Sequence, residues 1–429
     1  MKIFTFITLF LYARYVNINR KDKLNKKQEK LLKKQLSFVK ENSPFYKNIK
    51  GSSLSEFPVI NKKTAIDRFD DINTRGLNKE EVYDLAVKSE HTRDFKERIK
   101  GISVGLSSGT SGHRGLFVLS DEEIMSWAGY ILGKMLPRGR VLFNRIAFFL
   151  RADNNLYEGL NNIFVKFVFF DLYKDEKENL KKLNSFSPTI LVAPAAVLRA
   201  LAKAQNQKYI NISPIKIISV AEVLTKEDEE YIKKAFGKDI IHQVYQCTEG
   251  FLACTCEKGN IHLNEDIVYF EKEYIDSKRF IPILTDLKRK TQPYIRYRQN
   301  DILIESDKKC PCGCCFTVVE KIEGREDDIF IFEGKNGKTV KIYPDMIARC
   351  IVYVKNIEEY KVLQTSKSTI EVYIDNLEKN IKENIVKEFE ILAQKKLFLF
   401  PEIVFKKYER EVNTKKYKRI ERRFSSEEC

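Results

Sequence analysis

Between about residues 100 and 300, short apolar runs alternate with amphipathic stretches. Ile146 to Leu150, Phe164 to Phe170, Thr189 to Val192, Ile215 to Val220 and Ile240 to Val244 are rich in Ile, Val and Phe, as strands buried on both faces are. The intervening spacing predicts helices such as Asp121 to Gly133 and Thr225 to Phe236. After residue 328 the pattern changes to strand-like Tyr360 to Gln364 and Thr369 to Ile374, a helix over Leu377 to Lys395, and a strand over Glu402 to Phe405. The expected class is α/β: a large layered N-terminal core of mixed sheets and helices, then a smaller α+β C-terminal domain. The expected divisions are 1–44, 45–325 and 326–429.

The N-terminal stretch carries two further patterns. Ile3 to Ala13 is apolar but 11 residues long, short of the roughly 20 that span a bilayer. Arg14-Tyr15 follow it where a secretory signal needs a small-residue cleavage site. Behind it Leu24, Leu31, Leu32, Leu36 and Val39 recur at helical spacing among lysines, which predicts an amphipathic helix packed on the core with a solvated lysine face. Peripheral attachment of residues 1–40 to an anionic membrane is the alternative.

Composition narrows the class. With 429 residues, 43% of them apolar and 12% aromatic, the chain can bury a large core, which excludes wholesale disorder and a disulfide-stapled miniprotein. Nine cysteines suit a reducing compartment, so a cytoplasmic protein is expected. The net charge of +16 is local: residues 20–40 hold nine Lys/Arg against two acids and residues 405–423 nine against three. The remainder is nearly balanced, which argues against a continuous nucleic-acid groove.

Chemistry concentrates in Gly105-Leu-Ser107-Ser108-Gly109-Thr110-Ser111-Gly112-His113-Arg114-Gly115. Its glycines let the backbone approach a ligand, and its hydroxyls and Arg114 suit phosphate oxygens. It is neither a Walker loop nor a dinucleotide fingerprint. Strand-like Leu116 to Leu119 follows, then Ser120 and Glu123 as a capping box that opens a helix.

Five later motifs accompany the loop: Ser219-Val-Ala-Glu222, Tyr245-Gln-Cys-Thr248-Glu249-Gly250, Gln292-Pro-Tyr-Ile-Arg296-Tyr-Arg-Gln-Asn-Asp301, Gly324-Arg325-Glu-Asp327-Asp328, and Lys415-Lys416-Tyr-Lys418-Arg419. In this order they resemble the adenylate-forming (acyl-CoA synthetase) superfamily, in its phenylacetate:coenzyme A ligase-like branch. The resemblance implies an ATP-dependent ligase that converts a carboxylic acid to an acyl-adenylate, releases pyrophosphate and passes the acyl group to coenzyme A or another thiol. It assigns Ser107, Ser108, Gly109, Thr110, Ser111, Gly112, Arg114 and Gly115 to the ATP phosphates. Tyr245 goes to adenine, Thr248 and Glu249 to the α-phosphate and Mg²⁺, and Glu222, Asp301 and Arg325 to the nucleotide. Asp327 becomes the pivot of a mobile C-terminal domain, and Lys416 the catalytic lysine, with Lys415 and Lys418 as alternatives. Two positions depart from the pattern: Arg114 stands where many relatives have Lys, and Asn300 where they have Gly. Candidate lining for the acid is Trp127, Tyr130, Val220 and Ala221. Adenylylation of a hydroxyl with AMP retained is a second reading. A basic nucleic-acid or membrane-surface binding protein is a third, of another class, and a homodimer is left open.

Cys256-x5-His262 and Cys310-x-Cys312 offer three thiolates and one imidazole, enough for a closed tetrahedral Zn²⁺ site. Relatives of the same branch show a similar pairing. Cys254, Cys314 and Cys315 are substitute ligands.

Overall fold

The computed structural model describes residues 2–92, 94–107, 114–150, 165–172, 175–409 and 418–424. Residues 108–113 of the Gly/Ser-rich loop, Lys415 and Lys416 lie outside the described residues. The chain forms two compact units, a large one of Met1–Gln299 with Leu303–Lys321 and a small one of Asn300–Ile302 with Ile322–Cys429.

In the large unit the helices are α1 (Lys2–Tyr15), α2 (Lys21–Asn42), α3 (Lys62–Asp67), α4 (Phe69–Ile72), α5 (Lys79–Thr92), α6 (Asp121–Met135), α7 (Glu176–Phe186), α8 (Ala195–Asn206) and α9 (Lys226–Phe236). Its strands begin with β1 (Ser103–Leu106), β2 (Leu116–Leu119), β3 (Asn144–Leu150), β4 (Val165–Asp171), β5 (Ile190–Pro194), β6 (Lys216–Val220) and β7 (His242–Cys247). They continue with β8 (Gly250–Thr255), β9 (Ile261–Leu263), β10 (Val268–Tyr274), β11 (Arg279–Asp286) and β12 (Tyr297–Arg298). β13 (Asp301–Glu305) and β14 (Val318–Arg325) run across the division between units.

One sheet orders these strands β10-β11-β13-β14-β9-β8-β7-β6-β5-β3-β4, with β12 beside β11. β4, β3, β5, β6 and β7 are parallel, and from β7 through β8 and β9 to β14 the pairing is antiparallel. Alternation along a strand sends successive side chains to opposite faces. Ala147 and Phe149 of β3 with Leu191 and Ala193 of β5 join the core under α7, α8 and α9. Ile146, Phe148, Ile190 and Val192 join the core under α6. Both faces are covered, which is why these strands read as continuous apolar runs.

The apolar N-terminal segment is helix α1, packed along α6. A Cβ on Gly129 would lie 2.4 Å from the Phe6 carbonyl, and one on Gly133 would lie 2.6 Å from the Phe10 carbonyl. The two glycines, one helical turn apart, form the flat strip on which α1 rests. Buried Arg14 donates to the carbonyls of Leu136, Pro137 and Arg138 (3.2, 2.7 and 2.8 Å), placing its cation where the α6 carbonyls end. The amphipathic helix α2 buries Leu24, Leu36 and Val39. Its Lys21 side chain and Gln28 amide bind Glu265.

In the small unit β15 (Phe330–Glu333) and β16 (Thr339–Ile342) form a hairpin, followed by α10 (Pro344–Val352), β17 (Tyr360–Gln364), β18 (Thr369–Ile374), α11 (Lys379–Lys396), β19 (Glu402–Lys407) and β20 (Ile420–Arg422). A four-stranded sheet runs β19-β18-β17-β20. Its core includes Val362, Val372, Ile385 and Phe389, with Phe332 stacked on Phe398 at 4.4 Å.

Candidate active site

The Gly/Ser-rich loop lies in sequence between β1 and β2, an antiparallel pair in register from Ser103–Leu119 to Leu106–Leu116. Gly105 makes room for the Phe117 ring across the hairpin, which would have to shift from a Cβ 2.3 Å away. At the mouth of the loop the Ser107 N–H donates to the Gly115 carbonyl, and the Ser107 hydroxyl accepts from the Gly115 N–H, both at 2.7 Å. The Arg114 guanidinium is engaged with both oxygens of Glu90 and donates to the Ser107 carbonyl. Its fork is thus turned onto α5 in this structure.

Tyr245, buried in β7, leads into the turn Thr248-Glu249-Gly250 that opens β8. Gly250 has φ 153°, a conformation that costs a side chain but not glycine. Glu249 is buried and accepts from the Tyr297 hydroxyl. Burial first, and then the Glu249 charge, push that hydroxyl well above its ordinary range, so it remains a donor. Ala221 adopts φ 63° and turns the chain after β6. Glu222, assigned to the nucleotide by resemblance, accepts from the Ala196 N–H at 3.0 Å and caps α8, whose own N-cap is Pro194.

Two residues given no role from sequence hold these parts together. Buried Arg289 donates to the Thr248 carbonyl at 2.5 Å and to the Val118 carbonyl at 3.3 Å. Gln292 accepts from the Val118 N–H and from Arg289, both at 3.2 Å, and donates to the Leu116 carbonyl at 3.2 Å. The β1–β2 hairpin and the Thr248 turn are therefore tied through one guanidinium and one amide. Glu123, besides its capping box with Ser120, accepts from the Lys290 and Thr291 N–H groups. Burial alone would raise its carboxyl, but the hydroxyls of Ser120 and Thr291 and nearby Arg289 outweigh it and hold the group below its ordinary value. Gln292 opens a motif visible in the sequence; Arg289 has no signal short of the fold.

Beside the Thr248 turn is a cavity of about 760 Å³ lined largely by apolar groups. Trp127, Tyr130, Val220 and Ala221 all line it, with Phe148, Phe167 and the α1 residues Phe4 and Leu9. Thr248 and Gly250 form part of its wall.

In the small unit the Arg325 Nε approaches Asp301 Oδ1 at 3.6 Å. The Asn300 amide donates to Asp327 Oδ2 at 2.9 Å and the Asn300 carbonyl accepts from Glu326 N–H at 2.7 Å. Asn300 thereby holds the segment carrying Asp327 through both its side chain and its backbone. Lys418 pairs with Asp328 at 2.7 Å. Burial raises the Asp328 carboxyl even though Lys418 opposes it.

Cys256, His262, Cys310 and Cys312 place their ligand atoms within 4.8 Å of one another. Cys256 Sγ lies 3.6 Å from Cys310 Sγ, and Cys312 Sγ lies 3.5 Å from His262 Nε2. Tetrahedral Zn²⁺ with bonds of about 2.3 Å to sulfur sets sulfur atoms about 3.8 Å apart, so the donors fit. His262 Nδ1 faces the Phe316 carbonyl at 3.3 Å, the outer contact that leaves Nε2 for a metal. Backbone N–H groups of Lys258, Cys312 and Cys314 point at the sulfurs of Cys256, Cys310 and Cys312.

No protein-family model matches the sequence, and no curated protein does. Solved structures do match. A 2-hydroxyisobutyryl-CoA ligase in the postadenylation state with 2-HIB-AMP aligns at TM-score 0.70 and 15% identity over 97% of this chain and 92% of that one. A GH3.15 acyl acid amido synthetase aligns at 0.60 and 12% over 94% and 92%. The amide bond synthetase McbA from Marinactinospora thermotolerans aligns at 0.52 and 12% over 73% and 67%. The chain has the fold of these adenylate-forming ligases.

Proposed function

We propose that the protein is an adenylate-forming ligase that activates an apolar carboxylic acid with ATP and passes the acyl group to a thiol, coenzyme A first. The observation that carries this reading is the apolar cavity walled by Thr248 and Gly250, next to a phosphate-loop hairpin tied to the same turn by Arg289. An acid whose tail fills the cavity would present its carboxylate at that turn. The carboxylate oxygen attacks the α-phosphorus, the bond to pyrophosphate breaks, and a mixed anhydride with AMP forms. The thiolate then attacks the acyl carbon and AMP leaves, a far better leaving group than oxide. Amines are the competing acceptor class, since amide synthetases share the fold.

The chain's own groups have defined tasks in this reading. Ser107 to Gly115 hold the departing phosphates. Glu249, a buried carboxylate aligned by Tyr297, is the oxygen ligand suited to Mg²⁺, which supplies charge neutralisation on the phosphates. Asp301 and Arg325 hold the ribose side, Asp327 is the hinge, and Lys416 contacts the reacting carboxylate. Zn²⁺ in the Cys256, His262, Cys310 and Cys312 cluster is structural, because four protein donors leave no open position.

Acid-dependent exchange of pyrophosphate into ATP tests the activity. Exchange with medium- or long-chain acids, lost in Lys416→Ala while ATP binding persists, is the expected result. A folded, metal-replete protein silent across fatty and aryl acids would refute the reading. Metal analysis should return one zinc per chain, and none in Cys310→Ser.

A further inference from the structure

Helix α1 has two apolar faces. One rests on Gly129 and Gly133 of α6, and Phe4, Thr5, Thr8 and Leu9 border the cavity. The other is in solvent: Ile3, Ile7, Leu11 and Tyr15, spaced four apart, are 74%, 47%, 48% and 69% exposed, and Phe4 beside them 74%. Nothing in the fold needs this row to be apolar.

The row adjoins a cluster of cations. Lys27 of α2 packs on the Tyr12 ring of α1 at 3.8 Å. Burial, opposed by Asp266 and aided by Lys288 and Lys134, pushes the Lys27 amine down to about 8; burial, opposed by Asp286 and aided by Lys34 and Lys290, lowers the Lys288 amine. Lys34, Lys288 and Lys290 are exposed, and the last two line the same cavity as α1. Two acids beside them are held by other donors, while Glu122 on the same cavity wall is exposed. Asp266 accepts from the hydroxyls of Tyr12 and Tyr130, and Asp286 from the N–H groups of Lys288 and Arg289.

We propose that α1 is a docking surface for an anionic lipid bilayer: the Ile3, Ile7, Leu11 and Tyr15 row enters the acyl boundary while the exposed Lys34, Lys288 and Lys290 meet lipid phosphates. A helix of 14 residues is about 21 Å long, shorter than the roughly 30 Å hydrocarbon core. No helix among the described residues is long and apolar enough to cross a membrane. An apolar row beside a basic cluster is the arrangement of a helix lying in the interface plane. Charge decides against a second copy of the chain, which would bring the same cations to the contact. Because Phe4 is both exposed and at the cavity wall, the cavity opens where the lipid would lie. If the activity proposed above holds, the acid is then a membrane-borne long-chain one.

The test is sedimentation of the full chain, without ATP, with vesicles of phosphatidylcholine alone and with 20% phosphatidylglycerol. Docking predicts binding to the anionic vesicles, weakened by salt. It also predicts at least tenfold weaker binding in Ile7→Glu/Leu11→Glu, with unchanged melting temperature and acid-dependent exchange, since neither residue borders the cavity. Lys34→Glu should weaken binding severalfold. No binding by the folded protein overturns the proposal, as does equal binding to neutral vesicles, or binding indifferent to the Ile7/Leu11 change. A dimer in light scattering that the double substitution dissociates also overturns it, by assigning the row to a contact between copies. Vesicle binding needs no catalysis, so its failure and a failure of the enzymatic reading are told apart.

Discussion

Arg289 and Gln292 share a hydrogen bond of 3.2 Å, and between them they reach both the Thr248 turn and the β2 strand that follows the Gly/Ser-rich loop. Gln292→Leu would leave the Val118 N–H without its amide partner and the Leu116 carbonyl without its donor. Each buried polar group left unsatisfied costs about 1–3 kcal/mol. The expected outcome is a lower melting temperature together with weaker ATP binding by calorimetry. Binding unchanged in a destabilised variant would show that the amide only supports the fold.

Lys418 and Lys416 separate in what their loss should do. Lys418 is paired with Asp328, and both side chains are largely buried. Lys418→Met removes the cation hydrogen-bonded to that carboxylate and leaves Arg325 as its nearby positive charge; breaking a buried pair from one side costs up to about 3–5 kcal/mol. Thermal unfolding should fall accordingly, and Lys418→Met/Asp328→Leu should recover much of the loss. Lys416→Ala should leave the melting temperature in place while removing adenylation.

Gly129→Ala places a methyl group against the Phe6 carbonyl. Overpacking of this kind costs about 1–3 kcal/mol, and α1 is the element free to move. Limited proteolysis should then cut the N-terminal segment before the rest of the chain. Cleavage no faster than in the unaltered protein would contradict the close seating of α1.

His242 gives the pH dependence a sign. Burial, with the Lys216 amine nearby, pushes its imidazole down to about 4 from 6.5, so the folded state keeps it neutral while the unfolded chain takes up a proton below 6.5. The stability it contributes is complete above pH 6.5 and lost as pH falls towards 4. His242→Gln should flatten the decline of melting temperature across that window.

The sequence made the parallel half of the sheet legible because those strands are buried on both faces. β3, β5 and β6 stand where the apolar runs of Ile146, Thr189 and Ile215 predict them, and α6 starts at the Ser120 capping box. The antiparallel half was not read: β10 carries Glu271, Lys272 and Glu273 among its apolar positions, and no run stands out. Cys256, His262, Cys310 and Cys312 could be grouped from spacing, since metal chemistry restricts the residue types. Arg289 could not, because an arginine that binds two distant carbonyls looks like any other until the chain is folded. The N-terminal helix was half legible; its apolar length was plain, but its seat is two glycines more than 110 residues away.

Asn300, Asp301 and Ile302 belong with the small unit although residues on either side of them belong with the large one. A fragment beginning at Ile322 would therefore lack the carboxylate opposite Arg325 and the amide that holds Asp327. One crossover in a gene cannot transplant this unit between relatives, since its parts are interleaved with the core. Replacement of the segment from Ile322 onward would here demand a matching change at three residues upstream.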